Sequence, residues 1–200
     1  VPALFNLNST DPFYLNHPVA STNDIWQQDA GEFYIKLTDA LNTFDHRLGK
    51  TTITTTRVCT HLIVDIVPHL RTKAEQLTCL QLAIPDQEAP ISISTLLARF
   101  ETPELIDDVE CEGCGYRNQA TKTTIIAPST HLVINIKRTQ FNAATGAPEK
   151  VRTPLTVEKA ITLHEQDFAL TGVAFHIGTK PKAGHWVALI KPIDSDDFHF

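Results

Sequence analysis

The hydrophobic period changes once along the chain, and no other feature of the sequence constrains the fold more strongly. Between residues 24 and 43, apolar residues recur at three- and four-residue steps, which predicts an amphipathic helix. Its apolar side, with Phe33, Leu37 and Leu41, is expected to face the core. After Lys50, β-branched residues and two-residue alternation predict strands instead. A helix followed mainly by strands indicates an α+β fold rather than repeated strand–helix–strand units.

The strand-type part of the sequence contains several candidate strands and one more helix. The strands are expected at Lys50–Val67, Leu77–Ile84, Thr123–Ile126, His131–Lys137, Ala169–His176 and Trp186–Ile190. A short helix is expected at Ser94–Phe100, with Ser94 or Thr95 as its N-cap and Leu96, Leu97 and Phe100 as its buried face. A turn at Asn142–Gly146 and a loop at Gly178–Gly184 would connect neighbouring strands, so the last two strands would form a pair.

Composition excludes several classes of protein. The net charge of −6 is a poor fit to a nucleic-acid-binding protein, which normally carries a basic surface. No apolar run reaches the roughly 18–20 residues that cross a bilayer, so no membrane partner is expected. The four cysteines are too sparse for a secreted disulfide scaffold and indicate an intracellular compartment, cytoplasmic or nuclear. Because Met is absent even at position 1, the chain is expected to be a piece of a longer product.

Four separated segments carry the most specific information. They are Gln27–Phe33 (QQDAGEF), Cys111–Cys114 (CEGC), Pro128–Arg138 (PSTHLVINIKR), and His176–Gly178 (HIG) followed by Gly184–Ala188 (GHWVA). Their order and spacing resemble those of the ubiquitin-specific protease family of deubiquitinases. The resemblance implies a papain-like fold shaped like a right hand. It assigns residues 1–45 to a helical thumb, 46–70 and 101–150 to β fingers, and 71–100 and 151–200 to an antiparallel β palm.

The resemblance also implies a function. A member of this family binds ubiquitin and its C-terminal tail, and its parent activity is thiol-dependent hydrolysis of the isopeptide bond after ubiquitin's terminal glycine. This chemistry requires no cofactor. His185 resembles the family's general acid/base, a role that suits an imidazole because it titrates near neutral pH. The structural alternative is a histidine at the start of an antiparallel strand that makes one backbone hydrogen bond.

Further residues would contact the ubiquitin tail. The resemblance assigns substrate binding to Gln28, Asp29, Glu32, His176, Gly178, Gly184 and Trp186. Asp29 and Glu32 are three residues apart, so they share a helix face from which they could pair with arginines of the tail. Acidic residues in a first helical turn also suit the helix dipole without any ligand. The loop after His176 has a similar alternative, an ordinary hairpin connection.

Cys111 and Cys114 have the spacing that can present two thiolates to one zinc ion. In the family a second Cys-x-x-Cys pair completes the site, and this chain has only Cys59 where that pair is expected. His61 is the expected substitute, which would give a structural zinc site of three cysteines and one histidine. The alternative is a decayed site that strand packing alone holds together. Cys79 lies in an apolar segment and is expected to be a small buried hydrophobic residue.

No cysteine precedes Cys59, so the family's catalytic nucleophile is not recognisable in this chain. Either the chain starts downstream of the segment that carries it, or that segment has decayed at Asn8–Asn16, where Phe13 takes the cysteine's place. The first explanation is favoured, because too few residues separate Asn16 from the first helix. If the chain turns near Asp194 and returns antiparallel to the strand Trp186–Lys191, the group that orients His185 is expected near position 204. Two functions therefore remain open: a deubiquitinase, or a catalytically inactive relative that binds ubiquitin or serves as a structural scaffold.

Overall fold

The computed structural model describes residues 30–41, 50–61, 69–180, 183–192, 195 and 197–199. These residues form the helices and strands α1 Ala30–Leu41, β1 Thr51–Cys59, β2 Leu70–Leu77, β3 Leu80–Ala83, β4 Ile91–Ser92, α2 Ile93–Glu101, β5 Glu104–Glu110, β6 Arg117–Ala127, β7 Ile134–Lys137, β8 Thr139–Asn142, β9 Ala147–Lys150, β10 Leu155–Thr156, β11 Ala160–Leu163, β12 Gln166–Ala169, β13 Gly172–Lys180 and β14 Ala183–Ile190. Neither of these helices has the length and apolar character needed to cross a membrane.

The largest sheet has four antiparallel strands in the order β2–β1–β6–β5. Its central strands are rich in threonine and isoleucine, whose branched side chains suit an extended backbone. The edge strand β2 was not expected from the sequence, because its polar and charged residues are exposed almost throughout. Its pairing with β1 places residues 70–77 in this sheet.

Away from the end where Glu110 of β5 pairs with Arg117 of β6, the two faces of this sheet differ in charge. One face, called the uncharged face below, carries Thr54, Thr56 and Val58 of β1, Thr121, Thr123 and Ile125 of β6, Leu70, Thr72 and Ala74 of β2, and Leu105 of β5. The opposite face carries the charged side chains Arg57, Arg71, Lys73, Glu75 and Lys122. It also holds Ile126, which is buried in the core near α2. The core therefore covers part of one face and leaves the uncharged face open.

The hydrophobic core lies where α2 meets β3, β4 and β6. Leu80 and Leu82 of β3 and Leu96 and Leu97 of α2 are almost completely buried there. Burial of Leu96 and Leu97 follows the helical pattern that the sequence predicted for this segment. The segment is short, so its packing against the sheet stabilises it more than its intrinsic helix propensity does.

Helix α2 begins earlier than the sequence suggested. Ser92 is its N-cap, because the Ser92 hydroxyl accepts a hydrogen bond from the Thr95 N–H at 3.1 Å. The expected caps, Ser94 and Thr95, were therefore wrong. The reason lies far away in sequence: the Glu158 carboxylate accepts from the N–H groups of Ile93 and Ser94, both at 3.1 Å, and so satisfies the first helical turn.

Five two-stranded pairs complete the described fold, of which β3–β7 and β4–β10 are parallel. The antiparallel pairs are β8–β9, β11–β12 and β13–β14. The apolar run Leu77–Ile84, expected as one strand, is divided by a turn at Thr78 and Cys79. Cys79 is buried, as expected. The Asn142–Gly146 turn is confirmed, since Gly146 has a φ of 66° and its N–H bonds to the Asn142 carbonyl.

Helix α1 does not bury the apolar stripe that the sequence predicted. Phe33 and Leu41 are 39% and 43% exposed, whereas Thr38 is buried. The Thr38 hydroxyl donates to the Tyr34 carbonyl at 2.7 Å, so this polar side chain is buried with its hydrogen bond made. The expectation that Phe33 and Leu41 face the core was wrong.

The β13–β14 hairpin carries the last sequence motif. Its pairing runs from Gly172 opposite Ile190 to Ile177 opposite His185, and a bulge then shifts the register before Lys180. Past β14 the chain returns, and His199 forms an antiparallel bridge with Ile190. This return was expected from the sequence.

Candidate functional site

The β13–β14 hairpin brings three of the predicted site residues close together. His176 lies opposite Trp186, and their ring centroids are 5.3 Å apart with the planes tilted by 58°. His185 directly precedes Trp186 on β14 and lies opposite Ile177. Because neighbouring residues of a strand point to opposite faces, His176 and Trp186 share one face and His185 projects from the other. The two histidines therefore flank the end of the hairpin rather than share one surface.

Lys150, at the end of β9, holds this end of the hairpin. Its ammonium donates to the His176 carbonyl at 3.0 Å, to the Gly178 carbonyl at 2.8 Å and to the Nδ1 atom of His176 at 3.1 Å. Gly178 has a φ of 150°, a conformation that side chains disfavour, and it lies within the bulge. The bulge thus needs glycine at this position, and a cation from a neighbouring strand stabilises it.

The remaining predicted substrate-binding residues lie partly outside the described structure. Gln28 and Asp29 are outside the described residues. Glu32 belongs to the first turn of α1, and only its backbone is described. Gly184 is the second residue of β14, directly before His185. The role of the acidic pair Asp29 and Glu32 in contacting the ubiquitin tail therefore stays a prediction.

A second candidate site lies at the far end of the four-stranded sheet. The ligand atoms of Cys59, His69, Cys111 and Cys114 all lie within 4.8 Å of one another. Cys59 ends β1, His69 directly precedes β2, and the two other cysteines lie in the turn between β5 and β6. Three strand ends therefore converge on one group of four donors.

The geometry of these donors fits a tetrahedral zinc ion. Two sulfur ligands of tetrahedral zinc, each at about 2.3 Å, lie about 3.8 Å apart, and the Sγ atoms of Cys59 and Cys114 are 3.9 Å apart. A hydrogen bond from the backbone N–H of Cys114 is the largest influence on Cys111 and helps to lower its thiol pKa to about 7. No residue with a side chain fits at position 113 unless the His69 ring moves, because a Cβ there would lie 2.7 Å from the His69 Cγ. Gly113 therefore leaves the room that the His69 ring occupies.

The histidine of this group differs from the one that the sequence suggested. His61 is not among the four donors; its ring stacks on Tyr116 with the centroids 4.0 Å apart, and its Nδ1 atom is buried without a hydrogen-bond partner. Its backbone N–H donates to the Cys59 Sγ atom at 3.4 Å. His69 therefore takes the place that the sequence suggested for His61.

Sequence reasoning missed His69 and Lys150. The signal for His69 was its position before β2, since ligands of a zinc finger commonly lie on two strands and the turn that joins them. The sequence analysis could not use this position, because it did not predict β2. Lys150 has no comparable local signal, because its three acceptors lie 26 or 28 residues further along the chain.

Comparison with known proteins places this geometry in a family. The family model described as ubiquitin carboxyl-terminal hydrolase matches residues 13–199. The chain belongs to the ubiquitin carboxyl-terminal hydrolase family. This membership confirms the resemblance drawn from the four sequence motifs. Among curated proteins of the family, ubiquitin carboxyl-terminal hydrolase 4 of Arabidopsis thaliana is 31% identical over 117 residues, which are 53% of this chain and 32% of that hydrolase.

Solved structures show the fold of this hydrolase-family chain. The SAGA Ubp8/Sgf11/Sus1/Sgf73 DUB module bound to ubiquitin aldehyde matches with a TM-score of 0.68 at 19% identity, covering 84% of this chain and 42% of that one. The same module bound to monoubiquitin matches with a TM-score of 0.69 at 20% identity, covering 84% and 41%. A yeast SAGA DUB module matches at 0.62 and 18%, covering 84% and 39%. The chain has the α+β ubiquitin-specific protease fold and spans less than half the length of these proteins.

Proposed function

We propose that this chain binds ubiquitin and holds its C-terminal tail against the β13–β14 hairpin, as part of a thiol-dependent deubiquitinase. The observation that carries the proposal is the placement of His176, Trp186 and His185 around one end of that hairpin. Ubiquitin as the partner is supported by the two structural neighbours described as bound to ubiquitin aldehyde and to monoubiquitin.

The hairpin offers a path for an extended peptide. An aromatic and an imidazole ring, Trp186 and His176, lie side by side on one face, where they can pack on a narrow peptide backbone. Glycines at 178 and 184 lie on either side of the hairpin end, and neither has a side chain to keep a second backbone at a distance. A tail on the Trp186 face could therefore cross the hairpin end and reach His185 on the other face.

In the proposed reaction, His185 serves as the general acid/base. An imidazole at that position would take the proton from the nucleophilic thiol and later protonate the departing amine. The thiol itself is not one of the four cysteines described, because Cys59, Cys111 and Cys114 belong to the four-donor cluster and Cys79 is buried in the core. The proposal therefore assigns the nucleophile to none of these four cysteines.

The uncharged face of the four-stranded sheet is the proposed contact for the globular part of ubiquitin. It exposes Leu70, Leu105 and Ile125 among threonines, a composition typical of the desolvated centre of a protein interface. In the hand-shaped description of the fold, this sheet would correspond to the fingers.

The four-donor cluster is proposed to hold a structural zinc ion. Three thiolates and one imidazole would close a tetrahedral site, leaving no open position for substrate, so the ion would stabilise the finger and take no part in catalysis. Four free cysteines fit a reducing compartment, and we propose that the protein is intracellular, cytoplasmic or nuclear.

The alternative function is a catalytically inactive relative that binds ubiquitin or serves as a structural scaffold. An incomplete metal site was one argument for decay of the domain. That argument weakens, because His69 supplies a fourth donor beside the three cysteines. Two observations keep the inactive relative as the second candidate: Trp186 stands where the family's motif has tyrosine, and no nucleophile is recognisable in the sequence.

A ubiquitin probe with an electrophilic C-terminus separates these functions when it is applied to the full-length protein. The enzyme predicts covalent labelling that depends on a single cysteine other than the four named above. His185→Ala should slow labelling on the order of a hundredfold, while His131→Ala, at an exposed histidine, should leave it unchanged. Ubiquitin binding without labelling would support an inactive relative that binds ubiquitin, and an absence of binding would contradict the enzyme and leave only the structural scaffold.

A further inference from the structure

Lys150 has an unusual set of hydrogen bonds for a lysine on a surface strand. It is half-buried, and each of its three N–H groups has an acceptor on β13: two carbonyl oxygens and one imidazole nitrogen. Within the described ranges, no carboxylate forms an ion pair with it. Its positive charge is therefore directed entirely at the end of the hairpin.

The contact with His176 fixes where the proton of that ring lies. An ammonium group can only donate, so the Nδ1 atom of His176 must accept. A neutral imidazole that accepts at Nδ1 carries its proton on Nε2. Because Lys150 occupies Nδ1, the ring can offer a ligand only the N–H donor at Nε2. The neighbouring Trp186 ring limits rotation of the imidazole away from this arrangement.

The two carbonyl contacts fix the backbone on both sides of Ile177. Lys150 bonds to the residue before Ile177 and to the residue after it, where the register shift begins. Ile177 is in turn the residue opposite His185. A single side chain thus sets the bulge, the orientation of the His176 ring and the strand position that faces His185.

We propose that Lys150 is a positioning residue for recognition of an extended peptide tail. By holding His176 in the Nε2–H form, it gives the Trp186 face a hydrogen-bond donor, which selects a backbone carbonyl oxygen of the bound peptide. The proposal rests on the proposed function, since the peptide is ubiquitin's C-terminal tail. It goes beyond that function in two ways. It names Lys150 as the residue that keeps the proton on the His176 Nε2 atom, and it names a backbone carbonyl oxygen as the group that this N–H recognises.

The first test reads the His176 ring in the unbound chain. Long-range ¹H–¹⁵N correlation spectra of the imidazole nitrogens distinguish a protonated nitrogen from one that bears a lone pair. We expect a protonated Nε2 and an unprotonated Nδ1 in the wild type, and a mixture of both tautomers in Lys150→Met. The exposed Lys159 supplies the control, because Lys159→Met should leave the His176 signals unchanged. A wild-type ring protonated on Nδ1 would overturn the proposal without any variant.

The second test measures tail recognition by calorimetry, with monoubiquitin and with ubiquitin shortened at its C-terminus. Lys150→Met should weaken binding of intact ubiquitin by roughly tenfold, the value of one charge-assisted hydrogen-bond network, and leave binding of shortened ubiquitin unchanged. Lys150→Arg, which keeps the charge and the donors, should recover part of the loss. Equal loss for both forms of ubiquitin would indicate a purely structural role and overturn the proposal.

Failure of the proposed function gives a different result. If the wild type binds intact and shortened ubiquitin equally, the tail does not occupy the hairpin, and both the proposed function and the recognition step fall. The tautomer spectra need no ubiquitin. A single Nε2–H form that Lys150→Met converts into a mixture would then still establish Lys150 as the residue that orients His176.

Discussion

At the scale of single residues, two histidines near the four-donor cluster have different expected roles. His69 contributes a ligand atom to the cluster, whereas His61 stacks on Tyr116. We predict that His69→Ala lowers the affinity for zinc by on the order of a hundredfold or more, because loss of a supporting hydrogen bond alone commonly costs 10–100-fold. His61→Ala should retain zinc with a much smaller loss.

Competition with a chromogenic chelator measures this difference, and the zinc content of the purified protein gives the stoichiometry. The wild type should hold about one ion per chain. If His61→Ala lost zinc and His69→Ala kept it, the assignment of the fourth ligand would be wrong. Equal retention by both variants would mean that three thiolates suffice.

Thr153 is the second residue with a specific expected effect. It is only 1% exposed; its hydroxyl donates to the Pro85 carbonyl at 2.6 Å and accepts from the Gln87 N–H at 2.9 Å. Thr153→Val keeps the shape and leaves these groups unpaired, so it should lower the free energy of unfolding by about 1–3 kcal/mol. Urea denaturation measures the change. Thr156→Val, at an exposed position of β10, should stay within about 0.5 kcal/mol of the wild type, and equal effects of the two changes would contradict the role of the Thr153 hydroxyl.

The sequence identified some of these residues and not others, for reasons of distance. Cys111 and Cys114 have a local spacing that indicates a metal site, and Cys59 follows from the family pattern. His69 and Lys150 act through contacts between elements that are not neighbours in sequence. A pattern within one segment cannot reveal such contacts, because they depend on how the strands pair.

At the scale of elements, the start of helix α2 depends on a carboxylate from another segment. Burial raises the pKa of Glu158, but hydrogen bonds from the Ser94 side chain and backbone outweigh it, so the pKa is lowered overall. A lowered carboxyl pKa stabilises the fold above the unfolded-state value of about 4.3, and this stabilisation is lost as the pH falls through the folded-state pKa.

We predict that Glu158→Gln lowers the free energy of unfolding at pH 7 by about 0.5 kcal/mol, a value reduced for solvent screening because the side chain is only partly buried. The difference from the wild type should shrink below about pH 4, where the wild-type carboxyl also becomes neutral. Urea denaturation at several pH values measures this trend. Glu88→Gln, at an exposed glutamate, should show neither effect; a Glu158→Gln difference that grew in acid would contradict the capping role.

Elements with strong periodicity were the ones that could be predicted. The strands β1, β7, β13 and β14 and the buried side of α2 follow from alternation and helical spacing. β2 was missed because an exposed edge strand has no buried face to impose alternation. The cap of α2 was misplaced because Glu158, which supplies part of the capping, lies more than 60 residues later.

At the scale of the whole molecule, stability should depend on the core around β3 and not on the uncharged face. Leu82 is 1% exposed and Leu105 is 64% exposed. Leu82→Ala should therefore lower the free energy of unfolding by about 2–5 kcal/mol, a large part of the total for a typical domain. Leu105→Ala should change it by less than about 0.5 kcal/mol. Chemical denaturation measures both, and comparable losses would show that the uncharged face is covered in the folded chain.

The overall architecture was predictable because four ordered motifs constrain it together, although each is short. The α+β class followed from the change of hydrophobic period, and the family followed from the motifs. The pairing of β3 with β7 and of β4 with β10 was not predictable, since these strands are too short for their patterns to specify a partner.

The central claim is that the tail of ubiquitin occupies the end of the β13–β14 hairpin. Side-chain NMR signals of His176, His185 and Trp186, followed while monoubiquitin is added, test it most directly. The account predicts that all three signals shift with intact ubiquitin and stay in place with ubiquitin shortened at its C-terminus. Unchanged signals with intact ubiquitin at saturation, or equal shifts with both forms, would contradict it.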